Sequence, residues 1–267
     1  LTKKMRATFA VAFALASFAF ASPANASTPV PLPAALHSSK FSQQWNGAEL
    51  VSFGPGPNQP GNCTSNSKEV TVNKDGYAQI LTNGTVGDCA DIESKHEYPT
   101  VPGYVYESRI YFSNFTQWDA YWMYGSNWPT AGEIDAVEGG PGVSDISYHY
   151  EGPNGPASMS SCNSSNNCDS SASPLTSEPH GNPEVIKPGW HTIDISFGKD
   201  SIGVWYDGAL YGTVSGPNVL DHGSGDDPFW ITWGTGSCDM PTNADVCNQQ
   251  QPPDPGNIQI AWERIFT

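Results

Sequence analysis

The sequence predicts an all-β fold, a sandwich or a barrel, and three observations predict it. Short runs rich in β-branched and aromatic residues recur along the chain, turn pairs punctuate them, and no segment after residue 26 carries a helical apolar stripe. With 9 Trp, 11 Tyr and 11 Phe in 267 residues, the chain can bury a sizeable core, which excludes global disorder.

The runs fall at 69–72, 77–82, 104–112, 119–124, 133–138 and 146–150, then at 190–197, 202–206, 211–214, 229–233 and 258–266. Several alternate with period two, and Asp75-Gly76, Asn83-Gly84 and Asp207-Gly208 mark turns between them. Many strands at this spacing, over a length suited to one domain, close as a sandwich or barrel. No propeller-type repeat is present. One segment breaks the rhythm: 151–188 is rich in Ser, Asn, Pro and Gly, a loop long enough to be functional or else disordered.

Composition narrows the function. With 27 acids against 11 bases the formal charge is −16, which excludes a duplex nucleic-acid surface and an anionic-membrane surface. Lys3, Lys4 and Arg6 precede an apolar run from Ala7 to Ala21, and Ala24-Asn25-Ala26 follows, the order of a secretory signal peptide. That run is short of the ~20 residues a membrane span needs. Residues 1–26 are therefore expected to be removed, taking three bases and leaving a charge of −19. Residues 27–40 read as a Pro/Ser-rich lead, and 41–267 as one β-sandwich domain. The expected product is extracellular, off the membrane, and by default a monomer.

All six cysteines lie after residue 26, and an even number in an exported chain reads as disulfides. Neighbour pairing (Cys63 with Cys89, Cys162 with Cys168, Cys238 with Cys247) would staple one loop-rich stretch each. Zinc is the competing reading, but there is no C-x-x-C and no H-E-x-x-H.

The sharpest feature is Glu133-Ile134-Asp135-Ala136-Val137-Glu138, which follows an aromatic stretch holding Trp118, Trp122 and Trp128. The apolar members predict a strand. In a regular strand Glu133 and Asp135 share a face while Glu138 points away. One β-bulge after Asp135 returns Glu138 to that face. Two carboxylates flanking a bond are what glycoside hydrolysis needs, and long side chains leaning inward could approach the ~5–5.5 Å of a retaining pair. The middle carboxylate would raise a neighbour's proton affinity by like-charge repulsion. Calcium ligation and a solvated strand face are the alternatives, though Ca²⁺ sites favour turning loops with carbonyl ligands. Asp221, Asp226 and Asp227 are a further acidic loop open to Ca²⁺. Trp118, Trp122, Trp205, Trp230 and Trp233 could stack on sugar rings or pack in the core.

Trp128-Pro129 followed by Gly132 and the acidic strand resembles the active-site strand of glycoside hydrolase family 16, in the E-x-D-x-x-E form of its laminarinase-like members. Tyr104-Val105-Tyr106-Glu107-Ser108-Arg109 resembles that family's Y-x-x-E-x-R strand. Ser147-Tyr148-His149-Tyr150 resembles its His-bearing strand. Trp190-His191-Thr192 with Trp205-Tyr206-Asp207-Gly208 resembles its W-H-T and Y-x-D-G strands, and 258–266 its final strand. The resemblance spans about residues 100–267.

It implies a β-jelly-roll sandwich of two antiparallel sheets with a concave substrate cleft, and retaining, endo-acting hydrolysis of a β-glycosidic bond. β-1,3-glucan is the leading polysaccharide partner, with β-1,3-1,4-glucan next. By position Glu133 would be the nucleophile, Glu138 the acid/base and Asp135 the residue tuning them. Glu107, Arg109, Trp128, His149 and Trp233 would contact sugar or line the cleft. Where laminarinase-like members carry an Asn-bearing strand, this chain has Phe229-Trp230-Ile231-Thr232-Trp233-Gly234. No cofactor is required by this chemistry, and a structural Ca²⁺ is an open alternative. A glycosyl-transferring enzyme and a non-catalytic sugar-binding jelly roll are the rival readings.

Overall fold

Alternation along each run sorts its side chains between an inner and an outer face, and the computed structural model shows that sorting in two sheets. It describes residues 41–43, 51–53, 64–65, 69–82, 88–113, 118–139, 145–152, 155–160, 173–174, 188–199, 201–215, 219, 228–236 and 257–266. Residues 1–26 and 27–40, most of 151–188, the loop holding Asp221, Asp226 and Asp227, and the proposed cysteine pairings fall outside the described residues or their side chains.

Strands are numbered in chain order. The back sheet runs β15 (Ala209–Ser215), β14 (Ser201–Tyr206), β13 (Gly189–Phe197), β7 (Val105–Phe112), β17 (Asn257–Phe266), β5 (Ala78–Leu81) and β4 (Val70–Val72), and β1 (Phe41–Gln43) also pairs with β17. The front sheet runs β12 (Ser173–Pro174), β11 (Gly155–Ser160), β10 (Asp145–Gly152), β9 (Glu133–Gly139), β8 (Trp118–Gly125), β16 (Phe229–Gly236), β6 (Asp88–Glu93) and β2 (Val51–Phe53), and β3 (Thr64–Ser65) also pairs with β6. The β3–β6 pair is parallel and the others are antiparallel. This is the jelly-roll-like sandwich. Among the described residues no helix is long and apolar enough to cross a membrane.

The core lies between the sheets. From the back sheet come Tyr106, Ile110, Phe112, Ile193 and Ile195, and from the front sheet Tyr121, Met123, Ile134, Tyr148 and Trp233, all fully buried. Trp233 is central. It stacks on Tyr121 at 5.7 Å, and its Nε1 donates to Ser108 Oγ of β7 at 3.0 Å, joining the two sheets.

This corrects the expectation that Trp233 contacts sugar. In β16 Phe229, Ile231 and Trp233 point inward, while Trp230, Thr232 and Gly234 lie on the outer face beside Tyr124, Trp122 and Ala120. Trp233→Ala is expected to cost about 3–5 kcal/mol in urea unfolding, because it opens a cavity and leaves Ser108 without its donor. A loss under about 1 kcal/mol would contradict the central placement.

Glu107 and Arg109 are corrected in the same way. In β7 the inward residues are Tyr106, Ser108, Ile110 and Phe112, so Glu107 and Arg109 lie on the outer face of the back sheet, away from the front sheet. There Glu107 sits 3.5 Å from Arg264, with Asp194 opposite it in register. The two residues brace the back sheet's outer surface and do not line a cleft shared with Glu133.

Candidate active site

The registers on both edges of β9 slip at the same place. Against β8, Tyr121 pairs with Val137 but Trp122 pairs with Asp135. Against β10, Asp145 pairs with Glu138 and Ser147 with Asp135. Ala136 is therefore the extra residue of a β-bulge, located where the carboxylate spacing calls for one. Ile134, Ala136 and Val137 are all fully buried, while Glu133 and Glu138 are half-buried and Asp135 is 4% exposed. The inward side of the bulge is held by the Tyr206 hydroxyl of β14, which donates to the Ala136 carbonyl.

Three register rows cross the front sheet's outer face here. The first is His149, Glu133, Tyr124 and Trp230. The second is Ser147, Asp135, Trp122, Thr232 and Glu93. The third is Glu138, Ala120, Gly234 and Asp91. One face thus brings the three carboxylates beside two indoles and a phenol.

Asp135 is the most buried of the three acids. Its Oδ2 accepts from Ser147 Oγ at 3.0 Å and lies 3.0 Å from His149 Nε2. His149 Nε2 also stands 4.0 Å from Glu133 Oε1, so one buried imidazole touches two neighbouring carboxylates. Ligand atoms of Glu133, Asp135 and His149 lie within 4.8 Å of one another, a set that can also hold a cation.

The far side of the face carries acids of its own. Tyr124 OH donates to Glu93 Oε2 at 2.5 Å. Burial raises the Glu93 carboxyl to about 7, the Tyr124 bond offsets part of that, and the charge of Glu97 adds to it. Gly234 leaves room for them. A Cβ there would lie 2.1 Å from Asp91 Oδ1 and 3.1 Å from the Trp122 ring.

Trp128 sits in the turn between β8 and β9, at the end where Glu133 begins, and is 40% exposed. The turn closes through Gly132 N–H to the Pro129 carbonyl at 3.0 Å, with Gly132 at a φ of 89°. Of the residues expected in the site, Glu133, Asp135, Glu138 and His149 share one face, and Trp128 stands at its end. Glu107, Arg109 and Trp233 do not join them. Asp91, Glu93 and Tyr124 went unassigned in the sequence. The signal for the first two was the alternation of Ala90 and Ile92 with Asp91 and Glu93.

A sandwich whose open sheet face carries two glutamates about an aspartate, beside stacking aromatics, has the working parts of a glycoside hydrolase. Residues 62–176 match the model of the XgeA-like, catalytic GH16 domain, a segment that includes the whole bulged strand. Over that segment, less than half of its length, the chain is similar to a GH16 catalytic domain. No curated protein matches the sequence.

Solved structures agree on the fold. A glycoside hydrolase family 16 endo-glucanase from Bacteroides ovatus is 16% identical with a TM-score of 0.60, over 85% of this chain and 99% of that one. The laminarinase from Flavobacterium sp. UMI-01 is 19% identical with a TM-score of 0.59, over 86% and 100%. An immunostimulatory antigen and pseudo β-1,3-glucanase of Mycobacterium tuberculosis is 15% identical with a TM-score of 0.62, over 85% and 98%. At these identities the likeness is one of fold.

Proposed function

We propose that the protein is an exported, endo-acting, retaining β-glycoside hydrolase that works as a monomer on β-1,3-glucan, or on β-1,3-1,4-glucan. The observation that carries this reading is the bulge at Ala136, which leaves Glu133, Asp135 and Glu138 on one open face. An endo-glucanase and a laminarinase share this fold, which supports the choice of glucan.

In the first step Glu138 gives its proton to the leaving glycosidic oxygen as a Glu133 carboxylate oxygen bonds to the anomeric carbon. The carbon–oxygen bond to the leaving sugar breaks. In the second step Glu138 takes a proton from water, the water oxygen bonds to the anomeric carbon, and the ester to Glu133 breaks. Asp135, fixed by Ser147 and His149, stands between the two and keeps Glu133 in line. Trp122, Trp128 and Trp230 offer flat faces for sugar rings. The Glu133, Asp135 and His149 cluster acts in this reading through its hydrogen bonds, with no ion required.

The test is reducing-sugar release on laminarin, mixed-linkage β-glucan, xyloglucan, agarose, carrageenan and β-1,3-galactan, with Glu133→Gln as control and an EDTA arm. Release from laminarin or mixed-linkage glucan that vanishes in the control and survives EDTA is the expected result. Activity in the folded control would overturn the assignment of Glu133. Loss with EDTA would overturn the ion-free reading. Binding without hydrolysis is a second reading, favoured by the likeness in fold to the Mycobacterium tuberculosis pseudo β-1,3-glucanase. Retained affinity with no sugar released would establish it, and lengthened products would establish glycosyl transfer.

A further inference from the structure

The back sheet's outer face carries a second assembly of aromatics, and it arises from a second bulge. In β17 the pairing with β7 slips between Ile260 and Trp262, so Ala261 is the extra residue. Ile258 and Ile260 point inward, and simple alternation would send Trp262 in and Glu263 out. The bulge does the reverse. Glu263 is 3% exposed inside the sandwich, and Trp262 stands half-buried on the outer surface. Moving a carboxyl into the core and an indole out of it opposes folding energetics, and such local conflicts mark places shaped for function.

The reversal leaves a cavity of about 290 Å³ lined by Tyr77, Arg109, Trp190, Ala261 and Trp262. The methyl of Ala261 supplies no bulk to fill it. Trp190 packs on Tyr77 at 5.2 Å and on Tyr111 at 5.5 Å, which holds the indole in place as a wall. Arg109 lies 5.9 Å from the Trp190 ring and donates to Thr192 Oγ1 at 3.0 Å. Beside the cavity, Gln79, Gln259, Tyr111 and Trp190 form one register row across four strands. Asn73 Nδ2 donates to Gln259 Oε1 at 2.9 Å, adding a third amide to that rim.

We infer that this cavity is a second carbohydrate site, for a neutral pyranose segment of a polysaccharide, on the face of the sandwich opposite the catalytic carboxylates. Flat indole and phenol faces suit the C–H face of a sugar ring, and carboxamides with a guanidinium suit its hydroxyls. Local charge selects a neutral ligand. Arg109 is balanced by Asp207 at 3.8 Å, and Arg264, which stacks on one face of Trp262 at 3.8 Å, by Glu107 at 3.5 Å, so neither an anionic nor a cationic partner is favoured, and the amide rim disfavours an apolar one. Two sugar sites on opposite faces would hold the enzyme on an insoluble or branched glucan by avidity.

The test compares the wild type with Trp190→Ala/Trp262→Ala and with Ala261→Leu, which fills the cavity and keeps every aromatic. Sedimentation with insoluble β-1,3-glucan and gel retardation in laminarin and mixed-linkage β-glucan read binding. Hydrolysis of a soluble β-1,3-glucan pentasaccharide reads the front face. The expected result is a fall in binding of about tenfold in both variants with pentasaccharide kcat/KM unchanged within about twofold. Wild-type binding by either folded variant would overturn the proposal. Because binding is read apart from hydrolysis, an inactive wild type whose binding still falls in both variants would keep the second site and overturn only the catalytic reading.

Discussion

Glu133→Gln is expected to lower turnover on the cleaved polysaccharide by roughly 10³–10⁵-fold, because a carboxamide cannot form the ester with the anomeric carbon. The fold should hardly notice. Glu133 is 22% exposed at its side chain and glutamine keeps its size and shape, so the melting temperature should stay within about 3 °C. Glu138→Gln distinguishes the two roles. It should cost as much on the polysaccharide, whose leaving oxygen needs a proton, but far less in the first step on an aryl glycoside with a good leaving group. The double variant should be little worse than either single one, since the pair acts as a unit. Near-normal turnover by a folded Glu133→Gln enzyme, or equal losses for Glu138→Gln on both substrate types, would refute the assigned roles.

Stability should fall as pH rises from about 4.5 to 8.5, the reverse of the usual carboxylate case. Burial raises Asp119 from 3.8 to about 7 against the Thr235 hydrogen bond, and raises Asp194 to about 8 with help from Glu107. Burial also pushes Glu263 well above its ordinary value. A carboxyl with a raised folded pKa contributes its stability in full below the unfolded value. That stability is lost as pH climbs through the folded value, because the unfolded chain ionises first. For Asp119, going from 3.8 to about 7 forfeits on the order of 4 kcal/mol, or about 10 °C in melting temperature for a chain of this size. Asp207 works in the opposite sense, held below its ordinary value by Thr192, His191 and Arg109 despite some burial, but only at pH below about 4. Asp119→Asn keeps an acceptor for Thr235 and should flatten the profile, gaining at pH 8 and changing little at pH 4.5. A melting temperature that is flat or rises across this range would contradict the buried, protonated state of these acids.

The sandwich was legible because alternation is a local property. β13 reads Ile193, Ile195 and Phe197 inward from its spelling alone, and the structure buries all three. The bulge at Ala136 was legible because three acids at 133, 135 and 138 cannot share a face without it. The misplaced residues have a common cause. Glu107 and Arg109 were assigned to the cleft by likeness to a motif, yet alternation with Tyr106, Ser108 and Ile110 puts them on the outer back face. Trp233 is spelled in phase with Phe229 and Ile231, and the same count would have sent it inward. The bulge at Ala261 was not legible, because nothing at 258–266 announces that Glu263 is buried and Trp262 is not. Its stabilising contacts, such as Tyr121 OH to Glu263 at 3.4 Å, come from strands distant in sequence.

The most direct test of the bulged strand as a retaining catalytic device is the anomeric configuration of the first product, followed by proton NMR during hydrolysis of laminarin or mixed-linkage glucan. Glu133 acting as nucleophile requires two inversions at the anomeric carbon, so the β-anomer must appear first and mutarotate later. An initial α-anomer would mean a single displacement by water and would contradict the account.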